Sequence, residues 1–127
     1  MDQENNKGKK YDLAERTSVF SENLIEFCRS LETNRIDQTI IVQLVRSGTS
    51  IGANYMEATN GSSKKDFINK INICKKESQE TKYWLRLVLK LCPDKKQKIN
   101  ILSTEVYELL LIFQKIISSS KRDKIEN

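Results

Sequence analysis

Residues 44–58 read LVRSGTSIGANYMEA, from Leu44 to Ala58. Ile41, Leu44, Gly48, Ile51, Tyr55 and Ala58 recur at alternating steps of three and four, the spacing of one face of an α-helix. Gly48 and Gly52 lie four apart on that side, and each lowers helix propensity by about 1 kcal/mol relative to alanine. A helix that carries both regains the loss if another backbone comes close. The stretch therefore predicts a long helix pressed against a neighbour. A phosphate-cradling loop does not fit: the surrounding pattern is helical, no Gly-Lys-Ser/Thr ending follows and no strand precedes.

Working outward, this second helix spans about 35–59. Asn60-Gly61 stops it, with Gly61 expected in the left-handed conformation. Upstream, Leu13, Thr17, Phe20, Leu24, Phe27 and Leu31 form the seam of a first helix, about 12–32. Asp12 is its expected N-cap, with Glu15 three residues on, and Thr33 or Asn34 caps the second helix. Downstream, Ser62 or Ser63 opens a third helix, about 64–91. Its main stripe is Phe67, Ile71, Cys74, Ser78, Thr81, Leu85 and Val88. A second stripe, Ile73, Glu77, Glu80, Trp84, Leu87 and Leu91, adds apolar surface suited to a wide core or a subunit interface. Pro93 ends the helix. Asp94 is the expected cap of a fourth, about 95–119, with the heptad seam Ile99, Leu102, Val106, Leu109, Phe113 and Ile116. Residues 1–10 are expected to be disordered and 120–127 to form a frayed tail. Connections of a few residues force antiparallel neighbours, so residues 11–119 are expected to form an all-α, up-down-up-down four-helix bundle.

Composition narrows the function. The chain has 127 residues and no histidine. That excludes His-based acid–base catalysis, Ser-His and Cys-His nucleophile pairs, and most zinc and di-iron sites. No cofactor and no metal are expected. Cys28, Cys74 and Cys92 are odd in number and sit in apolar helical patterns, as reduced thiols of a cytoplasmic protein do. No apolar run is long enough for a membrane span, and the polar start MDQENNKGKK lacks the apolar core of a signal peptide. The net charge of +5 is unevenly spread. Residues 62–98 hold eleven lysines and arginines against four carboxylates, whereas residues 1–61 hold seven against nine.

Four pieces, YDLAERT (Tyr11–Thr17), RSGTSIGANYMEA (Arg46–Ala58), SKKDF (Ser63–Phe67) and KESQETKYWL (Lys76–Leu85), occur here in a telling order and spacing. Through them the chain resembles the bacterial four-helix-bundle proteins first noticed as reading frames inside intervening sequences of large-subunit ribosomal RNA genes. The accessory proteins of diversity-generating retroelements form part of the same group. The resemblance covers nearly the whole folded chain, and the glycine-rich helix ending in Asn-Tyr-x-Glu-Ala is its most specific part. It implies a left-handed antiparallel bundle assembling as a ring-shaped homopentamer. For retroelement members it also implies binding to nucleic acid and to a reverse transcriptase. For members in ribosomal RNA genes it implies an RNA association.

The residues themselves offer two constellations. Lys75, Gln79, Lys82, Arg86 and Lys90, with Lys76 beside them, make one face of the third helix basic along roughly 20 Å, at 1.5 Å per residue. Such a face can neutralise phosphates and release counterions, giving salt-dependent and largely sequence-independent binding. A solvated lysine-rich face that serves solubility alone has the same pattern. Tyr83 is the one aromatic nearby, which favours backbone contact over base stacking. The second constellation is Arg46, Asn54, Glu57, Glu77 and Glu80. Without a Glu-x-x-His pair it reads as an ion-pair network that sets helix register. Ser78 and Thr81 are expected to bond back to their own helix, and Trp84 to anchor a core or an interface. The expected function is a non-enzymatic, oligomeric binder of RNA or DNA, with a protein-interaction scaffold as the alternative.

Overall fold

Three of the helices open on a residue whose side chain takes up a free backbone N–H. Asp12 accepts from the Glu15 N–H at 3.1 Å, Asn34 from Asp37 at 2.9 Å and Ser63 from Asp66 at 3.0 Å. These caps satisfy donors that the first helical turn leaves free. The computed structural model describes residues 12–61 and 63–126, with side chains as far as 122. The expectations for residues 1–10 lie outside the described residues. Helix α1 is Leu13–Arg29, α2 Arg35–Thr59, α3 Lys64–Leu91 and α4 Lys96–Glu126. They pack around a square: α1 on α2, α2 on α3, α3 on α4 and α4 back on α1, with no diagonal backbone contact among the described residues. This is the expected all-α bundle with up-down packing. The α2–α3 pairing is the most extensive and α1–α4 the thinnest.

The core sits where the four predicted stripes meet. Leu24, Leu44, Ile51, Ile71, Leu85, Val106 and Phe113 are completely or almost completely buried. Each such side chain contributes about 1.5–3 kcal/mol relative to exposure. Four polar residues enter this core, Thr17, Ser47, Ser78 and Thr81. Their hydroxyls turn back onto their own helices, as at Thr17 to the Leu13 carbonyl, 2.6 Å, and Ser78 to that of Cys74, 2.8 Å. No buried side-chain polar atom among the described residues lacks a partner.

The two glycines of α2 face α1. A Cβ on Gly48 would collide with the Leu24 side chain and stand 3.5 Å from Phe20. One on Gly52 would lie 3.3 Å from the Thr17 hydroxyl oxygen and 3.5 Å from its carbonyl oxygen. The propensity lost in α2 thus lets Leu24 lie over bare backbone and brings the α1 main chain within contact. This is the close approach that the spacing predicts.

Several boundaries differ from the sequence reading. Helix α1 ends at Arg29, not near 32. The Ser30 N–H is shared between the Glu26 and Phe27 carbonyls, at 3.3 and 3.1 Å, and its hydroxyl takes up the Phe27 carbonyl again. Gly61 does not adopt positive φ. Asn60 closes α2 instead, through its backbone and amide N–H groups to the Met56 carbonyl. Asp94 does not cap α4: Pro93–Lys95 form a 3-10 turn, tied by the Lys95 N–H to the Cys92 carbonyl at 3.0 Å. Helix α4 continues to Glu126, past the expected end at 119. Residues 118–126 contain no proline or glycine, so nothing breaks the helix once it is propagating. No helix of the described residues is long and apolar enough to cross a membrane.

Candidate nucleic-acid interface

Helix α3 presents three kinds of surface. The main stripe is buried, from Ile71 to Val88. The side turned to α2 carries Glu77 and Glu80. The side turned to α4 carries Lys75, Gln79, Lys82, Arg86 and Lys90, which share a face by helical period. The Lys82 ammonium lies 4.6 Å from the centroid of the Tyr107 ring on α4. A cation over an aromatic face is attracted by the ring quadrupole. That contact places the basic stripe along the α3–α4 seam. On α4, Lys96, Ser103, Tyr107 and Gln114 fall on the same side as one another at steps of seven and four. The seam from Lys75 to Lys90 thus has no carboxylate on either of these two strips. Lys75 and Lys82 are half-buried, and Arg86 and Lys90 are exposed. Long basic side chains lie down along apolar surface and keep their charged ends in water.

Lys76 does not join the seam. It is exposed one position round the helix, and its charge helps hold Glu80 ionised. The indole Nε1–H of Trp84 donates to Glu80 at 3.2 Å. Together with Arg46 these contacts keep the Glu80 carboxyl below its ordinary value, the Trp84 hydrogen bond contributing most.

The expected polar network separates into two. Arg46 on α2 bridges to Glu77 at 3.4 Å and directly to Glu80, while Gln43 accepts from its Nε at 3.1 Å. Glu57 pairs instead with Lys70, at 3.4 Å, and the Asn54 amide donates to the Ser50 carbonyl at 2.8 Å. Antiparallel packing explains the division. Moving along α2 from Arg46 to Glu57 moves down α3 from Glu80 to Lys70. The network is therefore a seam of ion pairs between α2 and α3, with Trp84 half-buried beside it.

Two contacts had no signal in the sequence. Arg16 of α1 forms a forked pair with Glu105 of α4, at 2.9 and 2.7 Å, and reaches Glu108 at 2.9 Å. These partners are 89 and 92 residues away along the chain. Tyr107, under Lys82, was equally silent. Among the described residues no three His, Cys, Asp or Glu side chains converge as a metal site. The cysteines are unpaired; burial pushes the Cys28 thiol up to about 11 and the Cys74 thiol up to about 12.

These features define an antiparallel four-helix bundle with a cationic seam between α3 and α4. The chain belongs to the 23S rRNA-intervening sequence protein family, whose model matches residues 9–115. Its structure resembles the crystal structure of a protein with unknown function from the S23 ribosomal protein family of Bacteroides thetaiotaomicron VPI-5482. The TM-score is 0.75 at 32% identity, over 82% of this chain and 96% of that one. Comparison with curated proteins finds no match.

Proposed function

We propose that the protein is a non-enzymatic, cytoplasmic binder of the phosphodiester backbone of RNA or DNA, and that the α3–α4 seam is the contact surface. The observation that carries this reading is the carboxylate-free run Lys75, Lys82, Arg86 and Lys90, with Lys82 braced on Tyr107. Four cations on roughly 20 Å of rigid helix, at 1.5 Å per residue, offer charge to successive phosphates without any base-reading group. Family membership supports an RNA element as the setting, and the retroelement relatives named above extend it to a helper of a reverse transcriptase. The test is a salt series of fluorescence anisotropy titrations on a single-stranded RNA. Four phosphate contacts correspond to a slope of about −3 in log K against log salt. A flat series argues against the assignment.

The same reading includes self-association, with the ring of five copies as the expected form. The surface that supports it is the outer seam between α1 and α2. Ser18 and Ile25 on one side, with Val42, Ala53 and Met56 on the other, are exposed and uncharged. Ser18 and Thr49 donate their hydroxyls to their own helix carbonyls. Repeating the cationic seam around a ring would add avidity. The scaffold alternative rests on this uncharged strip alone: a ring with protein partners and no nucleic acid.

A further inference from the structure

We propose that the groove between α1 and α4 docks a basic amphipathic helix of a partner protein. Helices α1 and α4 make the thinnest pairing in the bundle, and a groove of about 620 Å³ opens between them. Its floor is apolar, formed by the buried side chains of Phe20 and Leu102. Its walls carry two aliphatic side chains left in water, Val19 at 40% and Ile101 at 65% exposure. The groove continues past Asn23 and Ile101 toward Ser30. From Val19 to Ser30 it is roughly 16 Å long at 1.5 Å per residue, about three turns of a helix.

The rim decides the charge of the occupant. Glu26 lines the α1 edge, Glu22 stands one turn before it on the outside of α1, and neither has an ion pair among the described residues. On the α4 edge Glu105 and Glu108 share the single guanidinium of Arg16, and Glu108 remains 55% exposed. Lys98 lines the Ser30 end together with Glu26, and Arg29 lies beside Glu22 and Glu26, so with Arg16 three cations face four carboxylates and the rim keeps an acidic excess. An incoming helix with apolar anchors at i, i+4 and i+7 would cover Val19 and Ile101, and its flanking lysines or arginines would meet these carboxylates. The chain's own basic helix face does not fit. Lys75, Gln79, Lys82, Arg86 and Lys90 include no aliphatic side chain to lie beside Val19 and Ile101. The occupant assigned to the groove is a helix of a different protein.

The experiment uses the full chain and two labelled peptides of roughly eighteen residues, each a helix with a leucine stripe. One has lysine flanks and the other glutamate flanks. The lysine peptide is expected to bind and its glutamate twin to fail. Glu22→Lys with Glu26→Lys, and separately Ile101→Ser, are each expected to weaken the lysine peptide about tenfold or more. The α3 variant K75E/K82E/R86E is expected to leave it unchanged. All these positions are on the surface, and melting curves matching the wild type confirm folding. Equal binding of both peptides overturns the proposal, and so does unchanged affinity in both groove variants. Dissociation of a wild-type oligomer by Ile101→Ser also overturns it, because the groove would then hold a second copy.

Discussion

Lys82 of α3 rests over the ring of Tyr107 of α4, its ammonium 4.6 Å from the ring centroid. The contact joins the cationic stripe to the neighbouring helix and limits how far Lys82 can swing. A cation–π contact at an exposed site is worth about 0.5–1 kcal/mol. Tyr107→Leu keeps an apolar side chain at a half-exposed position but removes the ring. RNA affinity is expected to fall about threefold with the melting temperature nearly unchanged. An affinity equal to that of the wild type would show that Lys82 needs no such brace.

Gly48 and Gly52 differ in what lies above them. Leucine at position 48 would drive into Leu24 and Phe20, and overpacking of this kind costs about 1–3 kcal/mol or more. Urea denaturation of Gly48→Leu is expected to show at least that loss, or a chain that no longer folds. Gly52→Ala meets only ordinary to slightly tight contacts with Thr17 and gains about 1 kcal/mol of helix propensity. Its stability is expected to stay within about 1 kcal/mol of the wild type.

The acid limb of stability should depend on Glu80. Its carboxyl is held below the ordinary 4.5 by the Trp84 indole first and then by Arg46. A carboxyl lowered by folding stabilises the native state above that ordinary value, and the contribution is lost as pH falls through the lowered one. Glu80→Gln is therefore expected to be less stable than the wild type near neutral pH. The two stability curves should draw together as pH falls through the lowered value of the Glu80 carboxyl. Curves separated by a constant amount at every pH would show that the carboxylate charge is not what Arg46 and Trp84 stabilise.

Self-association through the α1–α2 seam can be tested by placing charge on it. Val42 and Met56 are 62% and 56% exposed, so glutamate at either is tolerated by the folded monomer. Sedimentation of the wild type at micromolar concentration is expected to show an oligomer, and V42E/M56E a monomer. A wild-type monomer argues against assembly, and an oligomer indifferent to both charges moves the interface elsewhere.

The architecture was legible in the sequence because its causes are local. Helical period placed Leu44, Ile71, Val106 and Phe113 inside, and the caps at Asp12, Asn34 and Ser63 follow from side chains three residues from their partners. The glycine pair announced a close helix, though not that Leu24 and Thr17 would supply it. Helix ends were less legible. Bifurcated bonds at Ser30 and the 3-10 turn after Pro93 depend on how the chain reaches the next helix. The site was legible only within α3. The stripe Lys75 to Lys90 could be read from spacing, but its position against α4 could not. Neither could the parting of Glu57 from Glu77 and Glu80, because the antiparallel register sets which residues face Arg46. The Arg16 pairs with Glu105 and Glu108 and the acidic groove beside them arise between chain segments with no local relation.

The most direct test of the cationic seam is an anisotropy titration of single-stranded RNA with the wild type and with K75E/K82E/R86E, at low salt and with matched melting curves. The triple variant replaces three cations by three carboxylates on the outside of α3, where Arg86 is exposed and Lys75 and Lys82 are half-buried. Measurable wild-type binding that weakens steeply with salt, and loss of that binding in the variant, is the expected result. Undiminished binding by the folded variant, or no wild-type binding at low salt, would contradict a nucleic-acid role for the α3–α4 seam.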